Sequence, residues 1–144
     1  MKRTTLITRA RDFAEKAHEH QLYDNGRPFI YHPAEVADLI STITYGKDEH
    51  LIAAAWLHDT IEDTPTTYEQ LYDTFGPDVA DLVREVTKAG GKDHKGYYFP
   101  NLHTRRAIML KFADRLANIS NMQTWEPDRV EHYLKKSRFW KSEI

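Results

Sequence analysis

The chain has 144 residues, of which 40% are hydrophobic and 29% are charged, and its formal net charge is −2. This length and composition are typical of one soluble globular domain, so we predict a single domain that spans residues 1–144. A net charge so close to zero excludes a strong overall field towards nucleic acid or a membrane surface, and we expect neither as a partner. The chain has no cysteine, which excludes disulfides and thiolate metal sites.

No apolar stretch of the sequence approaches the ~18 residues that a membrane-spanning helix needs. Residues 1–13 are basic but lack the apolar segment of a signal peptide. These features predict a cytoplasmic protein. They leave the oligomeric state open, and a homo-oligomer is compatible with them.

Hydrophobic residues at intervals of three and four predict helices along most of the chain. The first predicted helix carries Leu6, Ala10, Phe13, Ala14 and Ala17. A loop is predicted over residues 23–31, which contain Asn25-Gly26. Pro33 is predicted to be the first residue of the second helix, and Tyr45-Gly46 to end it.

Capping residues mark the next three helices. Asp48 is placed to cap a third helix that extends towards Thr60. Thr67 and Gln70 have the spacing of a capping box and predict a short fourth helix. Gly76-Pro77-Asp78 is typical of a helix start and predicts the fifth.

The second half of the chain begins with a different composition. Residues 88–100 contain three glycines and three lysines, which predict a mobile basic loop. A sixth helix is predicted over about residues 102–122 and a seventh from about Pro127. No segment has the alternating pattern of a strand. We therefore predict an all-α fold, a compact bundle of about seven helices.

Candidate ligands for a metal occur in three separate segments. The adjacent pair His58 and Asp59 follows an apolar run and is difficult to explain as core packing. A second histidine, His32, precedes a proline, and Asp114 lies within the sixth predicted helix. Imidazole nitrogens and carboxylate oxygens are ligands of borderline divalent ions. The alternative is that each histidine is a hydrogen-bonded core residue, but the combination favours a metal-dependent enzyme that activates water.

Two further acidic residues follow the pair. Glu62 lies three residues after Asp59 and Asp63 lies four after it, so a helix would place them on one face. Beside a metal, they are interpreted as general acid/base and water-orienting groups. Without one, they would be a solvated helix end.

The sixth predicted helix has a polar and an apolar side. Asp114 shares a face with Asn118 and Asn121, whereas Ile108, Phe112 and Leu116 lie on the opposite face. Because both sides are flanked by alanine and leucine, we expect this helix to be buried nearly all round.

Five segments resemble a known family, in the family's order: residues 26–37, 53–64, 75–88, 110–119 and 125–133. They are similar to the HD-domain metal-dependent phosphohydrolases, and within them to the hydrolase domain of RelA/SpoT proteins and the stand-alone small alarmone hydrolases. The sequence HDTIEDT at 58–64, together with HP at 32–33 and ADRLAN at 113–118, carries the resemblance.

The resemblance implies a function and a set of residues. One divalent ion, most often Mn2+, would be held by His32, His58, Asp59 and Asp114, with Glu62 and Asp63 as the catalytic acidic pair. The substrate-binding positions would be Tyr23, Asn25, Asn118, Asn121, Arg129 and Tyr133. The implied reaction removes pyrophosphate from the 3′ position of guanosine tetra- or pentaphosphate and leaves GDP or GTP. A chain of 144 residues has room for this domain only, which implies a stand-alone hydrolase.

The chain departs from the family pattern in the loop before His32. Where the family often has Arg-Lys-Ser/Thr, this chain has Tyr23-Asp24-Asn25. A tyrosine can stack on a purine, but an aspartate repels phosphate, so the positive charge would come from Arg27 or the lysines of residues 88–100. Two alternatives follow. One is an HD-type phosphohydrolase for another nucleotide, such as an adenosine alarmone, NADPH or a nucleoside phosphate, and the other is a nucleotide-binding protein with little turnover.

Overall fold

Eight helices and no strand occur in the part of the chain that the computed structural model describes, which comprises residues 5–23, 26–87, 102–121 and 125–136. In chain order the helices are α1 (Leu6–Ala17), α2 (Tyr31–Ile43), α3 (Glu49–Leu57), α4 (Thr60–Asp63), α5 (Tyr68–Phe75), α6 (Pro77–Val86), α7 (Arg105–Ser120) and α8 (Pro127–Lys136). The prediction of an all-α fold is confirmed, and the helix added to the expected seven is the single turn α4. None of the helices in these ranges is both long and apolar enough to cross a membrane.

The third helix lies at the centre of the bundle and packs against α1, α2, α6 and α7. Its buried residues are Leu51, Ile52, Ala53, Ala54, Ala55 and Leu57. Three consecutive alanines add little side-chain volume, which lets neighbouring helices pack closely around this segment. The C-terminal end of α3 therefore reaches the interior of the bundle.

The predicted helix caps of α3 and α5 are present. Asp48 accepts a hydrogen bond from the backbone N–H of Leu51 at 3.1 Å. Its other carboxylate oxygen accepts from Nε of Arg106 on α7 at 3.0 Å, so the same residue also links two helices. Thr67 and Gln70 form the expected reciprocal capping box at the start of α5.

The predicted start of the second helix is wrong by two residues. The helix begins at Tyr31, because the N–H groups of Tyr31 and His32 already donate to carbonyls of the preceding turn, at 3.2 and 2.9 Å. Pro33 is thus in the first turn, where a missing N–H has no cost because the first N–H groups lack partners within the helix. As a result, His32 lies in the first turn of α2 and is buried.

The structure describes only the two ends of the connection from α6 to α7. The basic loop predicted at residues 88–100 lies outside the described residues. The helix predicted over about 102–122 is shorter and begins at Arg105, because Thr104 acts as its N-cap and accepts from Ala107 N at 3.1 Å. The carboxylate of Glu85 in α6 accepts from Thr104 N at 2.8 Å and holds the start of α7 against α6.

The expectation that α7 is buried nearly all round is wrong. On its polar face Asp114 is buried, while Asn118 and Asn121 are half-buried. The opposite apolar side chains are 37–50% exposed: Ile108, Phe112, Leu116 and Ile119. The other helices of the described structure cover only one side of α7, which packs against α2, α3 and α6. The buried side is the one that carries Asp114.

Two side chains join the end of α1 to α4. Nδ1 of the buried His18 lies 2.9 Å from Oε1 of Gln21, and Nε2 of the same amide donates to the carbonyl of Asp63 at 2.8 Å. Because an amide oxygen can only accept, His18 carries its proton on Nδ1. Burial lowers the pKa of His18. The neutral ring therefore helps to hold the backbone of Asp63 in place.

We predict that His18 makes the protein less stable as the pH falls. Its folded pKa is lower than the ordinary value of 6.5, so below that pH the unfolded chain binds a proton that the folded chain does not. The free energy of unfolding should therefore fall, by at most about 1.4 kcal/mol per pH unit from this group. Chemical denaturation from about pH 7.5 to about pH 5.5 should show a smaller fall for His18→Asn than for the wild type. His20→Asn, at an exposed neighbour, is the matched control, and equal pH dependence in all three proteins would contradict the prediction.

Candidate metal centre and substrate pocket

Four elements bring two histidines and two aspartates together. The residues are His32 in α2, His58 at the C-cap of α3, Asp59 at the N-cap of α4, and Asp114 in α7. We predicted that the third helix extends towards Thr60, but it ends at Leu57. The Thr60 hydroxyl donates to the Leu57 carbonyl at 2.7 Å. Adjacent residues of a continuous helix point about 100° apart. The break lets His58 and Asp59 point to one centre.

The ligand atoms of these four side chains face one another. Nε2 of His32 lies 2.9 Å from Oδ1 of Asp114 and 3.4 Å from Oδ2 of Asp59. Nε2 of His58 lies 3.1 Å from Oδ2 of Asp59 and 3.3 Å from Oδ1 of Asp114. The two imidazole nitrogens are 3.3 Å apart. All four atoms lie within 4.8 Å of one another, and the cluster could hold a divalent metal ion.

The protonation of His58 shows why this cluster needs a cation. Its Nδ1 lies 2.7 Å from the carbonyl oxygen of Ala55, so Nδ1 must be the donor. The neutral ring then directs the lone pair of Nε2 towards two carboxylates, which are acceptors only. Buried acceptors that face one another repel unless a positive group lies between them. The donor set therefore fits a metal with nitrogen and oxygen ligands.

The pKa values of the cluster show the same requirement. Burial lowers the pKa of His58, but the charges of Asp59 and Asp114 outweigh it and raise that pKa well above the usual value. Burial raises the pKa of Asp114, but Lys111 and the two histidines reverse this effect and hold it well below the usual range. In the absence of a metal, a proton on His58 supplies the positive charge that the carboxylates require.

A buried lysine contacts the cluster from within α7. Nζ of Lys111 lies 3.3 Å from Oδ2 of Asp114, one turn away on the same helix. Oδ1 of Asp114 is the atom that faces the two histidines. The ion pair therefore fixes the carboxylate with one oxygen on Lys111 and the other towards the centre.

A chain of hydrogen bonds links three side chains next to the cluster. The Tyr23 hydroxyl donates to Oδ1 of Asn118, and Nδ2 of Asn118 donates to the Tyr133 hydroxyl at 2.7 Å. The Tyr23 ring also stacks on His32, with centroids 5.4 Å apart and planes 6° apart. Tyr23 thus contacts a candidate ligand and orients the amide of Asn118.

A pocket of about 260 Å³ lies beside the cluster. It is lined by Tyr23, Phe29, His32, Asp59, Glu62, Asp63, Lys111, Asp114, Arg115, Asn118, Trp125, Arg129, His132 and Tyr133. Glu62 and Asp63 are exposed, and a carboxylate oxygen from each lies within 4.8 Å of one from Asp59. The predicted catalytic pair and four of the predicted substrate residues therefore meet in one space with the metal cluster.

Two of the predicted substrate residues are not found in this pocket. Asn25 lies outside the described residues. Asn121 is the C-cap of α7, and its amide donates to Glu35 at 3.1 Å. It lines a second, shallow crevice with Tyr23, Arg27, Tyr31, His32 and Glu35. The two spaces share Tyr23 and His32, but the crevice has a volume of only about 10 Å³, which is room for about one water molecule.

The charge of the main pocket depends on the ion. Its lining contains four carboxylates, from Asp59, Glu62, Asp63 and Asp114, and three cationic groups, from Lys111, Arg115 and Arg129. With neutral histidines the lining has a net charge of −1, because four negative groups face three positive ones. A divalent ion changes this value to +1, since it adds two positive charges. A divalent ion would therefore strengthen the attraction of the pocket for a polyphosphate.

Sequence reasoning did not identify five residues that line this pocket, Phe29, Lys111, Arg115, Trp125 and His132. Lys111 lies three residues before Asp114, a spacing that places both on one helical face and could have revealed it. Arg115 directly follows Asp114, and adjacency along a helix gives no such signal. Trp125 lies over Tyr133, with ring centroids 5.3 Å apart, a contact between distant residues that only the fold defines.

Comparison with known proteins identifies the family. Residues 10–95 match the family model described as HD domain. The chain is 32% identical to the guanosine-3′,5′-bis(diphosphate) 3′-pyrophosphohydrolase MESH1 of Danio rerio, over 98% of this chain and 83% of that protein. It is 37% identical to the guanosine-3′,5′-bis(diphosphate) 3′-pyrophosphohydrolase of Aquifex aeolicus, over 91% of this chain but only 20% of that protein. The 34% identity to the bifunctional (p)ppGpp synthase/hydrolase SpoT of Escherichia coli likewise covers 86% of this chain and 19% of that protein.

A solved structure agrees with the sequence comparisons. It is that of a metazoan ortholog of SpoT that hydrolyses ppGpp, and it superposes with a TM-score of 0.76 at 26% identity, over 96% of this chain and 85% of that one. The chain therefore spans about a fifth of the long bacterial relatives and most of the two metazoan ones. Together with the residues that match the HD model, these similarities show that the chain belongs to the HD-domain family, among the RelA/SpoT-type hydrolases.

Proposed function

We propose that this protein is a metal-dependent alarmone hydrolase that removes the 3′-pyrophosphate of guanosine tetra- or pentaphosphate and leaves GDP or GTP. The observation that carries the proposal is the convergence of four ligand atoms within 4.8 Å, beside a pocket with two further carboxylates. The activity named for MESH1 and for the metazoan ortholog of SpoT supports the choice of substrate.

The ion that we propose is one Mn2+, held by His32, His58, Asp59 and Asp114. Two imidazoles and two carboxylates form a mixed nitrogen and oxygen site that suits Mn2+ among other divalent ions. Such an ion lowers the pKa of water by several units and offsets the charge of the phosphate. The ion pair of Lys111 with Asp114 would keep one oxygen of that carboxylate directed to the ion.

The acidic pair would move the protons of the reaction. Water attacks the phosphorus that is bonded to the ribose 3′ oxygen, the bond between them breaks, and the 3′ oxygen gains a proton. Glu62 and Asp63 line the pocket next to Asp59, within reach of a water beside the cluster, where one carboxylate can accept the proton of that water. Their exposure keeps them in contact with solvent, through which protons can exchange.

The nucleotide would lie between α7 and α8 and extend past Tyr23. Arg129 lies over the ring of Trp125 at 3.9 Å and lines the pocket together with Tyr133 and Asn118. We infer that Tyr23 borders the bound nucleotide, because it lines the main pocket, and Asn121 is proposed to contact the nucleotide from the crevice that it shares with Tyr23. Asn25 is proposed for the same region from its position in the sequence alone.

A second candidate is an HD-type phosphohydrolase for another nucleotide. Tyr23 stands where the resemblance implies a base-stacking arginine, and here its hydroxyl is already bonded to Asn118. This contact makes the substrate-binding residues differ from the family pattern, while the ligands and the acidic pair do not. A protein that only binds nucleotides is less well supported, because Glu62 and Asp63 add negative charge to a phosphate site without a role in binding.

We further propose that residues 1–144 form one domain, that the protein acts in the cytoplasm on a small-molecule nucleotide, and that nucleic acid and membranes are not its partners. These proposals depend on the length, composition and near-neutral charge of the chain. A homo-oligomer is compatible with them.

The substrate is tested with a panel of nucleotides. We expect the Mn2+-loaded protein to release pyrophosphate from guanosine tetraphosphate, and chromatography of the nucleotide together with a pyrophosphate assay would detect both products. Adenosine tetraphosphate, NADPH and GTP are the comparison substrates. Release of orthophosphate from NADPH or GTP, with guanosine tetraphosphate untouched, would replace our proposal by the second candidate. Tight binding without any product would indicate a binding protein.

We predict that Asp59→Ala abolishes turnover through the loss of the metal. Removing one of two carboxylates from a four-ligand site should weaken Mn2+ binding by about 10²-fold or more, since even residues that only support metal ligands contribute 10–100-fold. Isothermal titration with Mn2+ measures this affinity, and pyrophosphate release measures turnover. Asp73→Ala, at an exposed aspartate of α5, is the control. An Asp59→Ala protein that binds Mn2+ as tightly as the wild type would remove Asp59 from the ligand set.

We predict the opposite pattern for the acidic pair. Glu62→Gln and Asp63→Asn preserve size and one acceptor oxygen but cannot take up the proton, so kcat should fall by about 10²-fold or more. The affinity for Mn2+ should stay within about threefold of the wild type, because neither residue belongs to the four-ligand cluster. Glu69→Gln, at an exposed position of α5, is the control. Full activity of both variants would show that the pair is only a solvated helix end.

A further inference from the structure

A second buried cation lies next to the metal cluster, and it lacks the partner that Lys111 has. Arg115 is 4% exposed and Lys111 is 7% exposed, and they lie one turn apart on the buried side of α7. Both line the main pocket. A buried charge is costly unless it is paired and hydrogen-bonded, so two cations in such positions need an explanation.

The contacts of the two residues differ. Lys111 is paired with Asp114. Among the described residues, neither Nε nor Nη2 of Arg115 has a hydrogen-bond acceptor, although both atoms are buried. The guanidinium lies instead against the ring of Tyr133, with its carbon 5.0 Å from the ring centroid. The Tyr133 side chain also forms a hydrogen bond with the guanidinium. Nε and Nη2 therefore remain as donors in the wall of the pocket for which the described residues supply no oxygen.

We propose that Arg115 is the binding residue for the pyrophosphate group, and that its unpaired N–H groups are satisfied by the phosphate oxygens farthest from the ribose. This inference rests on the proposed function and names the subsite that holds the leaving pyrophosphate. A guanidinium offers several donors in a planar fork that matches two oxygens of one phosphate. Arg115 lines the same pocket as Asp59 and Asp114, so a phosphate on Arg115 would lie beside the metal cluster.

The surroundings of Arg115 favour an anion over the nucleoside. With a divalent ion in the cluster, the pocket carries a net charge of +1, and Lys111 and Arg115 contribute two of its three cationic side chains. The third, Arg129, is exposed on α8. Tyr133, whose ring lies against Arg115, is also on α8, so the proposed contact requires this ring to move away from the guanidinium when phosphate binds. The resemblance implies a lysine at the position that Asp24 occupies in this chain. Arg115 would supply the positive charge of that lysine from a different position in the chain.

The test measures the affinity for pyrophosphate by isothermal titration, with Mn2+ in excess throughout so that chelation is equal in every experiment. We expect Arg115→Gln to weaken pyrophosphate binding by about 10-fold or more, because it removes a charge-assisted pair of hydrogen bonds. Arg115→Lys, which keeps the charge but not the fork, should show an intermediate loss. Arg105→Gln, at an exposed arginine of the same helix, should bind like the wild type. The affinity for Mn2+ should change by less than about threefold in every variant, a result that a merely distorted metal centre would not give.

Wild-type affinity for pyrophosphate in a folded Arg115→Gln protein would overturn the inference, as would a wild-type protein that does not bind pyrophosphate. Should Arg115→Gln fail to fold, a crystal structure of the wild type with Mn2+ and pyrophosphate decides. Phosphate oxygens in hydrogen-bonding range of the guanidinium support the inference, whereas pyrophosphate on the metal with Arg115 still sealed beneath Tyr133 contradicts it. Pyrophosphate release from guanosine tetraphosphate by the wild type is measured separately. A protein that hydrolyses the nucleotide but does not use Arg115 to bind pyrophosphate refutes this inference alone.

Discussion

The structure depends on four acceptor groups that are held face to face and need a cation between them. The carbonyl of Ala55 accepts a hydrogen bond from Nδ1–H of neutral His58, and the lone pair of Nε2 then points at Asp59 and Asp114, 3.1 and 3.3 Å away. The bundle keeps these groups together because each belongs to a helix that is anchored elsewhere, and α3 lies at the centre of the packing. The packing of the core thus holds together four groups that would otherwise repel one another. Such a preformed site binds an ion without a large rearrangement.

The same ion determines what the pocket attracts. With neutral histidines its lining has a net charge of −1, and a divalent ion would change this value to +1, so the ion would strengthen the attraction of the pocket for a polyphosphate. Near the cluster, the cations Lys111 and Arg115 are buried on α7, whereas the acidic pair Glu62 and Asp63 is exposed on the single turn α4. The cationic side chains are therefore buried in the bundle, whereas the acidic side chains are in contact with water. This division suits a reaction in which a highly charged group is held while protons are exchanged with solvent.

The loop before α2 distinguishes this chain from the family pattern. Tyr23 stacks on His32 and bonds to Asn118, so one residue contacts both a candidate metal ligand and a candidate nucleotide contact. A change in how the nucleotide is held would therefore be transmitted to the metal centre through a single aromatic ring. The similarity to MESH1 shows the family and supports the proposed reaction, while Tyr23 is the residue through which we propose that this chain differs from the family in holding the nucleotide.

The sequence by itself determined the helical class, the caps at Asp48 and Thr67, and the residue types of the metal cluster, because these depend on local periodicity and on chemically distinctive side chains. It did not determine the exposed side of α7, since an apolar stripe looks the same whether or not another helix covers it. Three features are known only from the tertiary structure: α3 ends at Leu57, Arg115 lies in the pocket wall, and Asn121 lines a separate crevice. Each of these features is decided by contacts between residues far apart in the chain, for which neither helix propensity nor spacing contains information.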